Sequence, residues 1–269
     1  MAQPRVLVLT GYGINCEEET AFAFRVAGAS ADIVHVNDLI AERSMLDSCQ
    51  ILVLPGGFSS GDDTGSGKAL ANRIRNNMFD ELCRFVERDT LMLGICNGFQ
   101  VMVNLGIVPA LDGFAAGPMA ALEHNRNFRY QCRWVDLIIE QQSPSIFTRG
   151  IDRLHIPVAH GEGNFFAPES ILTRIEGMSL VTMRYGRPDG TRANGEFPYN
   201  PNGSMNDIAS ICDPSGRIMG MMPHPERGMF FTQRDDWTLL RERARREGKD
   251  IPEFADGFTI FSNAVSYFH

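Results

Sequence analysis

Short apolar runs alternate with stretches of helical periodicity up to Leu105, and this alternation restricts the fold more than any other feature. The apolar runs are residues 6–9, 33–36, 51–54 and 91–95. The helical stretches begin near Glu17, span about residues 68–88 and then residues 99–105. Continuous apolar runs are typical of strands buried on both faces of a parallel sheet. The alternation therefore predicts an α/β fold of three layers, with a mostly parallel central sheet and helices on both faces.

The second half predicts elaborations of that sheet. Residues 133–139 and 208–212 are strand-like, and the latter leads through Asp213-Pro214-Ser215-Gly216 into residues 218–222, which predicts a β-hairpin. Residues 186–204 are rich in Gly, Pro and Asn and predict a long loop, whereas the charged residues 235–249 predict a solvated helix. Because no linker or internal repeat interrupts the chain, we expect a single domain over residues 1–269.

Composition excludes several classes of protein. The chain has 269 residues and a net charge of −8, which disfavours nucleic acid and anionic membranes as partners. Its apolar runs are too short to span a bilayer and its start does not match a signal peptide, so a cytoplasmic protein is expected. The six cysteines include no C-x-x-C pair, so neither a disulfide framework nor a metal site is predicted.

One cysteine lies where the fourth apolar run meets the next helical stretch. Its frame is Gly94-Ile95-Cys96-Asn97-Gly98, a nucleophile elbow with Cys in place of Ser. The glycines allow a sharp strand-to-helix turn to pass close to neighbouring backbone, where a Cβ would clash. A helix N-terminus and a nearby imidazolium both stabilise a thiolate. The pattern predicts that Cys96 is a nucleophile.

Two backbone N–H groups are candidates for binding the oxyanion that forms when the sulfur attacks a carbonyl. One belongs to Asn97, and the other to Gly57 in the turn after the preceding strand. Such a donor stabilises the transition state by about 2.7–4 kcal/mol.

A cysteine nucleophile needs a histidine base and a group that orients it. Two of the six histidines lie in a His-x-Glu frame, namely His160-Gly161-Glu162 and His224-Pro225-Glu226. Residues two apart in extended backbone point to the same side, so each Glu is expected to reach its His. Pro225 stiffens the second frame. The residues alone leave both pairs open.

Three segments resemble the signature segments of the class I (triad) glutamine amidotransferases. They are Pro55-Gly56-Gly57-Phe58-Ser59, Gly94-Ile95-Cys96-Asn97-Gly98-Phe99-Gln100 and Met222-Pro223-His224-Pro225-Glu226-Arg227. Within this family the chain is most similar to the glutaminase subunits or domains, of PurQ type, of phosphoribosylformylglycinamidine synthase. The similarity runs from about residue 6 to residue 227 and includes residues 156–163 and 200–204. One departure is at residues 60–68, where the family usually has a Tyr and a more apolar continuation.

The resemblance implies a flavodoxin-like fold and a set of site residues. Cys96 would be the nucleophile, His224 the base and acid, and Glu226 the orienting carboxylate. Gly57 and Asn97 match the oxyanion donors. The positions that match substrate contacts are Gln100, Phe58, His160 and Gly161.

The resemblance also implies a reaction and partners. The chain would hydrolyse L-glutamine to glutamate and ammonia through a thioester. A Walker A frame would need Gly at position 62 and Ser or Thr at position 69, where the chain has Asp62 and Ala69. We therefore expect no cofactor in this chain, with ATP and Mg on a synthetase partner of PurL type. That partner would convert formylglycinamide ribonucleotide to its amidine, and a small subunit of PurS type would bridge the two.

Two rival functions fit the same elbow. A cysteine peptidase would cleave peptides and ignore glutamine. A non-enzymatic assembly protein would lose no activity in its complex after Cys96→Ser. A zinc deaminase is not expected, because the required Pro-Cys-x-x-Cys is absent.

Overall fold

The computed structural model describes residues 3–269, and within that range it contains eleven β-strands and seven α-helices. The main sheet is formed by β1 Arg5–Thr10, β2 Ser30–His35, β3 Ile51–Leu54, β4 Leu91–Ile95, β6 Gln131–Ile139, β7 Arg153–His160, β9 Val181–Gly186, β10 Ile208–Cys212 and β11 Ile218–Met221. A small antiparallel sheet is formed by β5 Ala121–His124 and β8 Glu162–Phe166. The helices are α1 Glu17–Val26, α2 Val36–Ala41, α3 Lys68–Glu87, α4 Asn97–Leu105, α5 Glu169–Gly177, α6 Trp237–Glu247 and α7 Phe258–Ser266.

The strands of the main sheet mostly share one direction. Their order is β2-β1-β3-β4-β11-β10-β9-β6-β7. The pairs from β2 to β11 are parallel, and the pairs from β11 to β7 are antiparallel. Within the described residues only β10 and β6 oppose the other strands. The predicted mostly parallel sheet is confirmed.

Several predicted elements have the expected bounds. Strands β3, β4 and β10 begin and end where their apolar runs do, and β10 and β11 form the predicted hairpin. Val36 differs, because it begins α2 instead of ending β2. The ring of His35 accepts a hydrogen bond from the N–H of Asn37 at 3.2 Å and so caps that helix.

Helices cover both faces of the sheet. Phe24 of α1 packs edge-to-face on Phe261 of α7, with ring centroids 5.0 Å apart. Helix α4 packs on β4 and β11, so closely that a Cβ on Gly220 would lie 2.0 Å from the Phe99 ring. Right-handed crossovers place α1 on one face and α3 and α4 on the other. The carboxyl ends of β3, β4 and β11 therefore meet at one edge, where sites form in such sheets.

The periphery follows the expected pattern. Every side chain of α6 is at least partly exposed, as predicted for a solvated helix. Of the predicted loop 186–204, Gly186 ends β9 and residues 187–204 form mostly turns and bends. No helix within residues 3–269 is long and apolar enough to cross a membrane. One sheet includes strands from Arg5 to Met221, and the single domain over residues 1–269 stays a prediction.

Candidate active site

Cys96 occupies a sharp turn between β4 and α4. Its backbone has φ 51° and ψ −105°, a positive φ that is rare for a residue with a side chain. A Cβ on Gly98 would lie 1.8 Å from the carbonyl oxygen of Leu54, and a Cβ on Gly94 would lie 2.3 Å from the sulfur of Met102. Both glycines are thus required by close packing around the elbow. The Cys96 thiol donates to the carbonyl oxygen of Ala159 at 3.7 Å and is 4% exposed.

The imidazole of His224 is held by Glu226. The His224 Nδ1 and Glu226 Oε1 atoms are 2.5 Å apart, and both side chains are buried. Burial alone lowers the pKa of His224, but the charges of Glu226 and Cys96 outweigh it and raise that pKa well above its ordinary value. Within residues 3–269, His224 Nε2 has no hydrogen-bond partner. The pair therefore leaves one ring nitrogen available to a thiol or a reacting group.

The other histidine frame is arranged differently. His160 Nδ1 lies 3.1 Å from the side-chain oxygen of Asn125 instead of contacting Glu162. Glu162 accepts a hydrogen bond from the N–H of Ser66 at 3.1 Å, so the expectation that it would orient His160 is wrong. Burial, followed by the nearby charge of His224, lowers the pKa of His160 to about 3. Because a ring with so low a pKa is neutral at pH 7, His160 does not supply an imidazolium beside Cys96.

The two expected oxyanion donors lie at the ends of adjoining strands. Gly57 has φ +155°, and a Cβ there would lie 2.7 Å from the Cα of Ile14. Asn97 is the first residue of α4, so its N–H has no intrahelical acceptor. Its side chain donates to Asp62 Oδ1 at 3.3 Å and to Gln100 Oε1 at 2.9 Å. The Asn97 side chain thus ties the loop after β3 to the elbow.

A cavity of about 340 Å³ opens beside Cys96. The four positions expected to contact substrate, Phe58, Gln100, His160 and Gly161, all line it. Gln100 donates from its amide nitrogen to the carbonyl oxygen of Glu162 at 2.5 Å, so it also shapes the wall. A larger groove of about 550 Å³ beside α3 is lined, in the described chain, by no cysteine or histidine.

Comparison with known proteins shows the family of this chain. The sequence profile of the CobB/CobQ-like glutamine amidotransferase domain family matches residues 3–268. The chain belongs to this family. Its relatives include subunit PurQ of phosphoribosylformylglycinamidine synthase from Methanococcus maripaludis, 51% identical over 99% of this chain and 98% of that protein. The same subunit from Dehalococcoides mccartyi is 40% identical over 99% of this chain and 98% of the relative.

Comparison with solved structures also matches this chain to the amidotransferase fold. The chain matches a chain in the structure of PurLQS from Thermotoga maritima with a TM-score of 0.71 and 27% identity, covering 100% of both. A glutaminase domain of CTPS from Trypanosoma brucei with bound acivicin shares the fold at a TM-score of 0.50 and 17% identity. The chain is thus a glutamine amidotransferase of PurQ type with a flavodoxin-like fold.

Sequence reasoning missed part of the wall of this amidotransferase cavity. Asp62, Arg129 and Tyr130 also line it. The segment that begins at the last residue of β5 reads His124-Asn125-Arg126-Asn127-Phe128-Arg129-Tyr130. Its mixture of aromatic and basic residues between two strands was the available signal. Asp62 lies in the loop that departs from the family pattern, where Ser60, Gly61 and Asp62 itself all have positive φ.

Proposed function

We propose that Cys96, His224 and Glu226 hydrolyse L-glutamine, and that the ammonia is used by a synthetase partner in phosphoribosylformylglycinamidine synthesis. The observation that carries this proposal is the Nδ1–Oε1 hydrogen bond of 2.5 Å between His224 and Glu226, in a ring close enough to Cys96 for that residue to raise its pKa. Cys96 itself lies at the strained elbow and lines the cavity. The same arrangement supports the base, acid and nucleophile roles given to these residues.

The first half-reaction forms a thioester. The charges of Glu226 and Cys96 raise the pKa of His224, which favours the protonated ring, and a protonated ring would stabilise the thiolate that forms at Cys96. The sulfur attacks the side-chain amide carbon of glutamine, and the negative charge moves to the amide oxygen. The N–H groups of Gly57 and Asn97 would donate to that oxygen. When the carbon–nitrogen bond breaks, His224 donates its proton to the departing ammonia.

The second half-reaction releases glutamate. His224 is now neutral and accepts a proton from a water molecule that attacks the thioester carbon. The carbon–sulfur bond breaks, and the thiolate and the imidazolium are restored. Glu226 keeps the ring oriented in both steps and stabilises its protonated form.

The charges of the cavity suit a free amino acid. Asp62 and Glu162 both line it, and each is placed to attract the α-ammonium group of glutamine. Arg129 lines the same cavity and is placed to attract the α-carboxylate. A glutamine within a peptide carries neither charge, so this wall favours the amidotransferase over a cysteine peptidase.

The partner assignment extends the same proposal. The chain matches one chain of PurLQS from Thermotoga maritima. We infer that this chain also works with a synthetase of PurL type and a bridging subunit of PurS type. Since ammonia is protonated or lost in bulk water, a closed path between the two active sites is expected. ATP and Mg are expected on the synthetase, and no cofactor on this chain.

An electrophile that resembles glutamine tests the proposed substrate. A diazo-norleucine carries the α-amino and α-carboxyl groups of glutamine and alkylates a nearby thiolate. We expect stoichiometric labelling of Cys96, prevented by excess L-glutamine and absent in Cys96→Ser. Labelling that excess glutamine does not slow, together with cleavage of peptides, would favour the peptidase instead.

A further inference from the structure

A second cysteine lies against the proposed triad. Cys16 is fully buried at the start of α1, outside the cavity that holds Cys96. Its sulfur, a ring nitrogen of His224 and a carboxylate oxygen of Glu226 all lie within 4.8 Å of one another. His224 therefore has a thiol on two sides, of which the proposed reaction uses one.

Backbone contacts fix the position of Cys16. Its N–H donates to the carbonyl oxygen of Gly56 at 3.2 Å, and its own carbonyl oxygen accepts from the N–H of Thr20 at 3.1 Å. The Thr20 hydroxyl donates to the same oxygen at 2.6 Å. The first turn of α1 and the turn after β3 thus hold the sulfur in place.

The contacts of the sulfur connect it to the His-Glu segment. Arg227 Nη2 donates a hydrogen bond to Cys16 Sγ, and the two atoms are 2.9 Å apart. Arg227 directly follows Glu226, and its Nε lies 4.0 Å from Glu226 Oε1. The Arg227 guanidinium is therefore shared between the Cys16 sulfur, Glu226 and Glu19, whose Oε1 lies 3.8 Å from Nε.

The ring of His224 is also confined at its Cε1 edge. A Cβ on Gly56 would lie 2.7 Å from His224 Cε1 and 3.0 Å from Cys16 Sγ. No side chain larger than that of Gly56 fits there, so the Cys16 sulfur and the Gly56 backbone bound this edge together. Removing the sulfur would leave room for the ring to move or for water to reach Glu226.

We propose that Cys16 is a positioning residue that holds the His224 imidazole between Glu226 and Cys96. It acts through the ring and through Arg227, without contact with the substrate. This inference rests on the roles proposed above for Cys96, His224 and Glu226.

The expected pH behaviour follows from the groups around His224. They are Glu226, Cys96 and Cys16, with His160, Tyr130 and Arg227 nearby. Burial lowers the pKa of His224, whereas Glu226, Cys96 and Cys16 raise it. Loss of the Cys16 thiol therefore lowers the pKa of His224. Because protonated His224 donates to ammonia, the basic limb of the kcat profile should move to lower pH.

Two variants at position 16 test the proposal in the full-length chain assembled with its synthetase. In Cys16→Ala we expect kcat for glutamine hydrolysis to fall about 10- to 100-fold, as misplaced catalytic groups do, with KM nearly unchanged. The basic limb should move to lower pH. In Cys16→Ser the hydroxyl still accepts from Arg227, so part of kcat and of the pH profile should be restored.

The matched control is Cys212→Ala. Cys212 is also fully buried, but it lies in β10 and contacts Ser143 at 3.6 Å. This variant should lose stability without moving the pH profile. An unmoved profile in Cys16→Ala, or a loss of kcat no greater than in Cys212→Ala, would overturn the proposal. If Cys16→Ala does not fold, a Cys16→Ser variant equal to the wild type in kcat and pH profile overturns it.

Different experimental results would contradict the triad and the positioning role of Cys16. Activity retained in Glu226→Gln and His224→Ala would contradict the triad itself. Activity lost in those two variants but kept in Cys16→Ala would contradict only the positioning role.

Discussion

At the residue scale, we expect the two carboxylates that line the cavity beside Cys96 to select free glutamine. Asp62 accepts a hydrogen bond from Asn97, and Glu162 accepts one from the N–H of Ser66. Burial raises the pKa of Asp62, its hydrogen bond to Ser66 lowers it, and the charge of Glu162 raises it further. A cationic group beside these carboxylates would relieve their repulsion, which is the physical reason to place the α-ammonium of glutamine there.

The role of Asp62 is tested by replacing its charge while keeping its shape. In Asp62→Asn we expect KM for glutamine to rise ~10-fold or more, because a charge-assisted hydrogen bond contributes about 1.5–3 kcal/mol. The rate of Cys96 alkylation by iodoacetamide, which has no ammonium group, should change little. Asp63→Asn is the neighbouring control, since Asp63 does not line the cavity. Equal KM values in the two variants would exclude this role.

The pH dependence of binding has a defined sign. Asp62 attracts an ammonium group only when ionised, and its pKa is raised. Affinity for glutamine is therefore complete above that pKa and is lost as the pH falls through it. Measurement of 1/KM against pH should show an acidic limb that disappears in Asp62→Asn. A limb that persists in the variant must come from another group.

At the element scale, the elbow depends on helix α4 lying against the end of β3. A positive φ at a non-glycine residue costs about 1–3 kcal/mol, which the surrounding packing sustains. The contact is closest at Gly98, where an added Cβ would meet Leu54 at 1.8 Å.

This contact gives a stability prediction. Gly98→Ala should lower the free energy of unfolding by at least about 1–3 kcal/mol, as overpacking does, and should disturb Cys96. Gly177→Ala, in α5, is the control because nothing lies within 4 Å of its added Cβ; we expect a change within about 0.5 kcal/mol. Urea unfolding measures both. Similar midpoints for the two variants would show that the elbow is less tightly packed than described.

The strands whose bounds the sequence predicts correctly are those whose burial is evident from one short apolar run. Strands β3 and β4 are buried on both faces, so their apolar runs alone define their ends. Strand β7 was not predicted because it is an edge strand, with exposed Arg153 at one end and Pro157 paired with Trp134. In β9, the charged Arg184 interrupts the apolar run, so the sequence does not show that this position is buried. Arg184 is buried because it pairs with Glu140 and Glu176, and those ion pairs exist only after folding.

The site residues also divide into those that a contiguous sequence motif predicts and those that only the fold brings together. The elbow around Cys96 and the His224 frame are contiguous in sequence, so their spacing carries the chemistry. Asp62 and Arg129 lie on separate loops and meet only through the fold. Because Cys16 lies far from His224 in the sequence, only the folded structure shows that the two side chains are close.

At the scale of the whole molecule, the chain is expected to work as one component of a larger enzyme. Without the partner, the ammonia released at this active site would be lost to water. We therefore expect hydrolysis to be coupled to the partner and to be slow in the isolated chain. Adding the synthetase partner with its substrates should raise kcat, measured as glutamate formed per unit time. The matched control is the Cys96→Ser chain with the same partner. Equal rates with and without the partner would count against coupling between the two sites.

We propose that His224, and not His160, exchanges protons with the Cys96 sulfur and the departing ammonia. Steady-state glutamine hydrolysis by His224→Ala and His160→Ala, measured side by side, tests it most directly. We expect a loss of kcat of at least ~100-fold for His224→Ala, since general acid–base catalysis contributes about 10²–10⁴-fold. We expect a clearly smaller loss for His160→Ala, whose neutral ring lines the cavity. Near-normal activity in His224→Ala together with collapse in His160→Ala would contradict it.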